Sequence, residues 1–144
     1  MLEAKAVNFA YQRGLPVLND IACTIGDGEF VALLGHNGSG KTTLSRLFMA
    51  LLHPRSGQVL VDGEDIVNYE PADLADKIGY VFQNPDLQIL EDTVFDEVAY
   101  GPRAKKLTAE TIKKQVDAAL AATGLSELAD AYPRLLSFGQ KRRL

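Results

Sequence analysis

Cysteine is nearly missing: Cys23 is the only one in 144 residues, so no disulfide can form within the chain. It alternates with Ile21 and Ile25, which predicts a buried strand position rather than reactive chemistry. Long apolar runs are missing too. The longest, Leu47 to Leu52, is far short of the roughly 18 residues a membrane-spanning helix needs. The opening residues, MLEAKAVNF, lack a basic start followed by an apolar stretch, so no secretory signal is read and a cytoplasmic location is expected. An excess of basic charge is also lacking. With 15 basic and 19 acidic side chains the formal charge is −4, against the strongly basic face of most nucleic-acid proteins. The small cluster Lys141, Arg142 and Arg143 is expected to be a solvated helix face. Histidine is limited to His36 and His53, and neither has a metal-like partner nearby in sequence. What remains is an ordinary globular composition, 47% hydrophobic and 24% charged, enough to bury a core in one domain or part of a larger one.

The apolar patterning changes along the chain. Val7, Phe9 and Tyr11 alternate, Arg13-Gly14 can turn, and Ile21, Cys23 and Ile25 alternate again before Gly26-Asp27-Gly28, which predicts antiparallel strands. EFVALLG, residues 29–35, is short and nearly all apolar, the pattern of a strand buried on both faces of a parallel sheet. From Lys41 to about Leu52 the spacing becomes helical, with Leu44, Leu47, Phe48 and Leu51 on one side and Pro54 as the stop. QVLVDG reads as another strand, and IGYVF as a β-rich run leading into Gln83. Beyond it, Thr93 can cap a helix carrying Val94, Val98 and Ala99 that closes at Gly101-Pro102. Thr108 can cap a longer one, with Ile112, Val116, Ala119 and Leu120 on its stripe and Gly124 at its end. The second half is expected to be mainly helical, and no repeat or linker-like tract divides it from the first.

Gly35 to Thr42 read GHNGSGKT, which fits GxxxxGK followed by Ser or Thr, between a predicted strand and a predicted helix. Chance produces this pattern in under about one chain of this length in a hundred. Glycines at 35, 38 and 40 let the backbone wrap around phosphates and turn NH groups inward, and the new helix presents its positive end to the same anion. Lys41 is expected to meet the β and γ phosphates of a nucleotide, Thr42 to place a hydroxyl on Mg²⁺, and Thr43 to add one near the α phosphate. The simpler reading is a glycine-rich turn that merely caps a helix.

A phosphate loop by itself leaves kinases, GTPases, helicases and transporters open. Leu136 to Gln140, LSFGQ, resembles the LSGGQ signature of ATP-binding cassette (ABC) ATPases, and KRRL continues the resemblance. Gln83, in YVFQNPD, falls where that family has its Q-loop glutamine, and Tyr11 matches the early aromatic that stacks on adenine. FQNPDLQI and Val98-Ala99-Tyr100-Gly101-Pro102 are most similar to the ATPases of energy-coupling-factor (ECF) transporters and their cobalt or nickel relatives.

The resemblance implies an α/β P-loop NTPase core with an antiparallel β lobe and a helical lobe, C-terminally truncated. Residues 1–83 would be the β-rich and P-loop core, 84–136 the helical lobe and 137–144 the signature. Two such domains face each other head to tail, so a second ABC ATPase subunit, identical or not, is implied as partner, together with an integral membrane component. The expected place is the cytoplasmic face of the membrane, and no nucleic acid is expected. Tyr11, Gly35, Asn37, Gly38, Ser39, Gly40, Lys41, Thr42 and Thr43 would hold ATP and Mg²⁺, while Ser137, Gly139 and Gln140 approach the γ phosphate from the other copy. Gln83 would touch Mg²⁺ or the attacking water. Two departures stand out. Phe138 replaces the first glycine of the signature pair, and the chain stops at Leu144, before the family's Asp-Glu pair and switch histidine. These 144 residues are therefore expected to be part of a longer importer ATPase and not to turn over ATP alone. Soluble ABC proteins acting on nucleic acid or ribosomes, and a fragment that only binds nucleotide, are the competing readings.

Overall fold

A computed structural model describes all 144 residues, which divide into two compact units, Met1–Tyr80 and Val81–Leu144. In the first, β1 (Leu2–Phe9) pairs antiparallel with β2 (Leu18–Ile25) and with β3 (Ser56–Val61). The short β4 (Glu64–Asp65) completes a four-stranded sheet of order β2-β1-β3-β4. Alternation turns Ala4, Val7 and Phe9 of β1 and Val59 and Val61 of β3 into the core. Register shifts break the β1–β2 ladder, and Ala6 (φ 49°) and Asp20 (φ 51°) take left-handed backbone there. Asn8 stitches these bulges: its Nδ2 donates to Ala6 O at 3.0 Å, and its Oδ1 accepts from the Asp20 amide at 2.9 Å. Cys23 is half-buried against the core, and burial pushes its thiol up, so it stays protonated at neutral pH.

Helix α1 (Lys41–Phe48) packs Leu44, Leu47 and Phe48 into this core; each contributes about 1.5–3 kcal/mol of apolar burial. It is shorter than the spacing predicts. Met49 caps it, Ala50 turns left-handed (φ 52°), and Leu51, expected on the inner stripe, is exposed. The short α2 (Pro71–Leu74) follows and buries Leu74.

Two expected strands do not form. Residues 29–35 belong to no ladder, and Phe30 is 99% and Leu34 88% exposed, opposite to the double burial their composition predicts. Residues 78–82 likewise join no sheet. The physical reason is common to both: a strand is defined by its neighbours, and no other segment of these 144 residues pairs with either. Val31, Leu33, Ile78 and Tyr80 instead line an apolar groove of about 300 Å³ together with Leu44 and Phe48.

The second unit is helical. Thr93 caps α3 (Val94–Ala104), and Thr108 caps α4 (Ala109–Thr123), each accepting a backbone N–H on its side chain as predicted. Gly124 ends α4 in the left-handed conformation (φ 66°). Gly101-Pro102, by contrast, does not close α3; the helix runs through it to Ala104. Gly101 has no Cβ for the proline ring to strike, and the Lys105 amide still reaches Gly101 O at 3.2 Å. Val94, Ala99, Val116, Leu120, Leu125 and Leu136 form the core, whereas Ala119, assigned to the inner stripe of α4 by its spacing, is exposed. The last helix, α5 (Phe138–Arg143), starts at the Ser137 cap. No helix is long and apolar enough to cross a membrane.

Candidate functional site

The phosphate loop, Gly35 to Thr42, lies in the first unit and runs directly into α1. Gly40 is the residue before the helix and is left-handed (φ 90°); a Cβ there would lie 2.6 Å from Leu18 Cδ2 and 3.1 Å from Val17 O. A Cβ on Gly35 would meet Ser39 Oγ at 2.5 Å. Gly40 therefore demands glycine for its left-handed backbone and its close neighbours, whereas at Gly35 the Ser39 hydroxyl would have to turn aside, so a side chain at either position would intrude on the cradle. Lys41 folds back over it, its Nζ donating to Gly35 O at 2.7 Å and His36 O at 2.8 Å. The ammonium thus sits at the loop's own carbonyls, where a nucleotide's anionic oxygens would compete for it. Asn37, Gly38 and Ser39 are exposed along the loop, the Ser39 amide closing a turn onto His36 O at 3.2 Å. No acidic residue occupies the first turn of α1, so nothing on this helix opposes an anion at its start. Thr42 is exposed at the helix start.

Tyr11 belongs to the same assembly. Its hydroxyl lies 3.3 Å from Thr43 Oγ1, and its ring meets Phe9 edge-on at 4.9 Å between centroids. Thr43 is buried and Tyr11 is 56% exposed, so the side chain stays half open to solvent while its tip is tied to α1. The hairpin carrying it turns at Gly14 (φ 83°) and is held by backbone: the Val17 amide donates to Phe9 O at 2.8 Å. Arg55 adds two more bonds, Nε to Ala10 O at 3.0 Å and its amide to Asn8 O at 2.8 Å. Sequence reasoning missed Arg55, because a guanidinium that supports a carbonyl 45 positions away leaves no local pattern.

Gln83, Ser137, Gly139 and Gln140 lie in the second unit. Gln83 is exposed just before a 3₁₀ turn, Pro85–Leu87, that Asn84 caps by accepting the Asp86 amide at 3.1 Å. Further on, Glu97 of α3 accepts the Leu90 and Glu91 amides, each at 2.8 Å, and so fixes the chain's path toward α3. Ser137 and Gln140 form a capping box: Ser137 Oγ accepts the Gln140 amide at 3.3 Å, and Gln140 Oε1 accepts the Ser137 amide at 2.8 Å. The Gln140 side chain is thereby engaged in shaping the turn. Phe138 is exposed, and the Arg142 guanidinium lies 5.3 Å from its ring centroid, a cation–π pair one turn along α5. Gly139 has open space around the position of a Cβ, so no neighbour in this chain requires it to be glycine. No cluster of His, Cys, Asp and Glu is arranged to hold a metal ion, and neither His36 nor His53 joins one.

Comparison with known proteins gives this arrangement a family. The ABC transporter family profile matches residues 18–144. A Pyrococcus furiosus protein named as an ABC transporter ATP-binding protein is 48% identical over 144 residues, covering all of this chain and 55% of that one. An energy-coupling factor transporter ATP-binding protein of Streptococcus thermophilus is 41% identical, with all of this chain matching 53% of it. Among solved structures, CbiO1 of Clostridium perfringens, described as part of the ABC transporter complex CbiONQ, superposes with a TM-score of 0.86. It is 40% identical, over 99% of this chain and 57% of that one. An ATP-binding cassette solved as a dimer in a post-hydrolysis state with ADP and phosphate also gives 0.86, at 28% identity, over 99% of this chain and 66% of that one. The chain spans about half the length of the curated relatives it matches in full on its own side. With its GHNGSGKT loop, its LSFGQ turn and these matches, the chain belongs to the ABC transporter family of ATP-binding proteins.

Proposed function

We propose that this chain is the nucleotide-binding part of an ABC importer ATPase, most like the energy-coupling-factor and cobalt or nickel systems, in which ATP binding and hydrolysis drive uptake of a vitamin or metal ion. The observation that carries the reading is the glycine cradle of Gly35, Gly38 and Gly40 with the Lys41 ammonium across it and Tyr11 tied to Thr43 beside it. The relative named as an energy-coupling factor transporter ATPase and the structural neighbour from a CbiONQ complex support the subfamily.

In this reading the loop amides and Lys41 hold the β and γ phosphates, and the half-exposed Tyr11 side chain takes the adenine. Thr42 and Gln83 would hold Mg²⁺, which when bound neutralises charge on the phosphoryl oxygens. Asn37, Ser39 and Thr43 line the rest of the loop. A second ATPase subunit presents Ser137, Gly139 and Gln140 to the same nucleotide. The open space around Gly139 supports that role, because a glycine with no internal steric need leaves room for an outside surface. Residues 1–83 act as the nucleotide core, 84–136 as the helical lobe facing a membrane component, and 137–144 as the signature. The assembly sits at the cytoplasmic face of the membrane. Water attack needs a group to orient or deprotonate it, and the resemblance places that carboxylate beyond Leu144.

Titration calorimetry with ATP tests the reading. Lys41→Ala removes the charged donor and is expected to weaken ATP by roughly ten- to a hundredfold; unchanged affinity defeats the phosphate-loop assignment. Co-purification of the full-length protein with an integral membrane protein is the expected companion result. Salt-sensitive RNA or DNA binding would instead favour a soluble ABC protein.

A further inference from the structure

One interaction in the second unit involves none of the residues proposed above to contact nucleotide. Lys141 and Asp86 are 55 residues apart in sequence, and Lys141 Nζ donates to Asp86 Oδ1 at 2.8 Å. This is not an ordinary surface pair with both groups in water, because the Lys141 side chain is only 13% exposed against 52% for Asp86. Each end sits next to a residue with a proposed role. Asp86 lies in the 3₁₀ turn that starts two residues after Gln83. Pro85 in that turn is buried, and the Asn84 cap stiffens the step between Gln83 and Asp86. Lys141 closes the first turn of α5, its amide donating to Ser137 O at 2.9 Å. The path from Gln83 to Ser137 therefore runs through a capped turn, one ion pair and one helical hydrogen bond. On the other side of Gln83, the Phe82 amide donates to Gln88 Oε1 at 3.4 Å, so the glutamine is bracketed by bonds to the same turn region.

We propose that the Asp86–Lys141 ion pair positions Gln83 and the Ser137 turn as one rigid body, so that Gln83, at this chain's own nucleotide, and Ser137, at the nucleotide held by the second subunit, engage and leave together. Asp86 and Lys141 are positioning residues, acting through their neighbours and not by touching the nucleotide. The proposal rests on the reading of Gln83 and Ser137 given above. Losing either partner leaves the P-loop and Tyr11, hence nucleotide affinity, in place, but lets the two elements drift, so that Gln83 at one nucleotide and Ser137 at the other no longer act in step and turnover slows.

Steady-state ATPase kinetics of the full-length protein, assembled as it occurs natively, test this with Asp86→Asn, Lys141→Met and the charge swap Asp86→Lys/Lys141→Asp. Gln83→Ala and Ser137→Ala serve as references, and thermal melting is followed for every variant. Each single variant is expected to lower kcat roughly two- to fivefold, the scale of a partly covered ion pair, with KM for ATP within about twofold. The swap is expected to return most of the lost kcat. Single variants with unchanged kcat, losses the swap does not recover, or losses that track a lowered melting temperature would each overturn the proposal. If Gln83→Ala and Ser137→Ala themselves keep full turnover, the functional reading fails first. If only they lose activity and the pair variants do not, the reading stands and the positioning role falls.

Discussion

Glycine serves two different purposes in this chain, and substitution separates them. At Gly40 the backbone is left-handed (φ 90°) and a Cβ would press on Leu18 and Val17. Gly40→Ala is expected to cost about 1–3 kcal/mol of stability and to weaken ATP binding with it. Gly139 has neither a positive φ nor a neighbour, so Gly139→Ala is expected to keep the melting temperature while lowering turnover of the assembled protein. Equal melting losses in both variants would contradict this division. The loop residues were legible because their chemistry is local: glycines, a lysine and a hydroxyl at fixed spacing make a phosphate cradle wherever a strand-like segment meets a helix. Tyr11 was legible only by family resemblance. Its hold on Thr43, 32 residues away, depends on how the sheet brings β1 beside α1, which no short pattern records.

Helix ends follow the same logic one level up. Thr93, Thr108 and Gly124 act as predicted, since a cap is decided by one side chain and the next three amides. Helix α3 runs past the Gly101-Pro102 expected to close it, because proline's cost late in a helix depends on the residue before it and on what holds the final turn. Arg103 helps to hold that turn by pairing with Asp96 at 2.6 Å. The hydrogen bond from Thr93 Oγ1, and then the Arg103 guanidinium, hold the Asp96 carboxyl below its usual range. A carboxylate with a lowered folded pKa adds stability above its ordinary pKa and loses it as pH falls through the folded value. Asp96→Asn is therefore expected to lower the melting temperature near neutral pH by roughly one to three degrees, the effect being small because both groups are partly exposed and screened. The difference should vanish in acid. A gap that persists at low pH would point to packing instead. Strands were the least legible elements. EFVALLG has the composition of a doubly buried strand, yet composition cannot supply the neighbour that makes it one.

At the scale of the molecule, the chain divides into two compact units at Tyr80 and Val81, while the sequence shows a shift from alternating to helical spacing near Gln83, read as two lobes of one unit. The 144 residues as they stand present Phe30, Val31, Leu33 and Leu34 as exposed apolar side chains on a segment outside every ladder. Such a segment templates pairing with another chain. Light scattering is expected to show concentration-dependent association of the 144-residue chain, reduced by Phe30→Lys/Leu34→Lys. Monodisperse behaviour at high concentration would contradict it. The hairpin that carries Tyr11 has a consequence of another kind. Its carbonyl support comes from the Arg55 guanidinium, while the Arg55 amide separately holds Asn8. An Arg55→Leu variant keeps the amide and loses only the prop, so the sheet survives while the ring loosens. If Tyr11 is the adenine platform, discrimination between ATP and GTP would then be altered by a substitution at a residue that touches neither base nor phosphate. A screen for altered nucleobase choice in this protein would find alleles at Arg55, just before β3 and away from the phosphate loop.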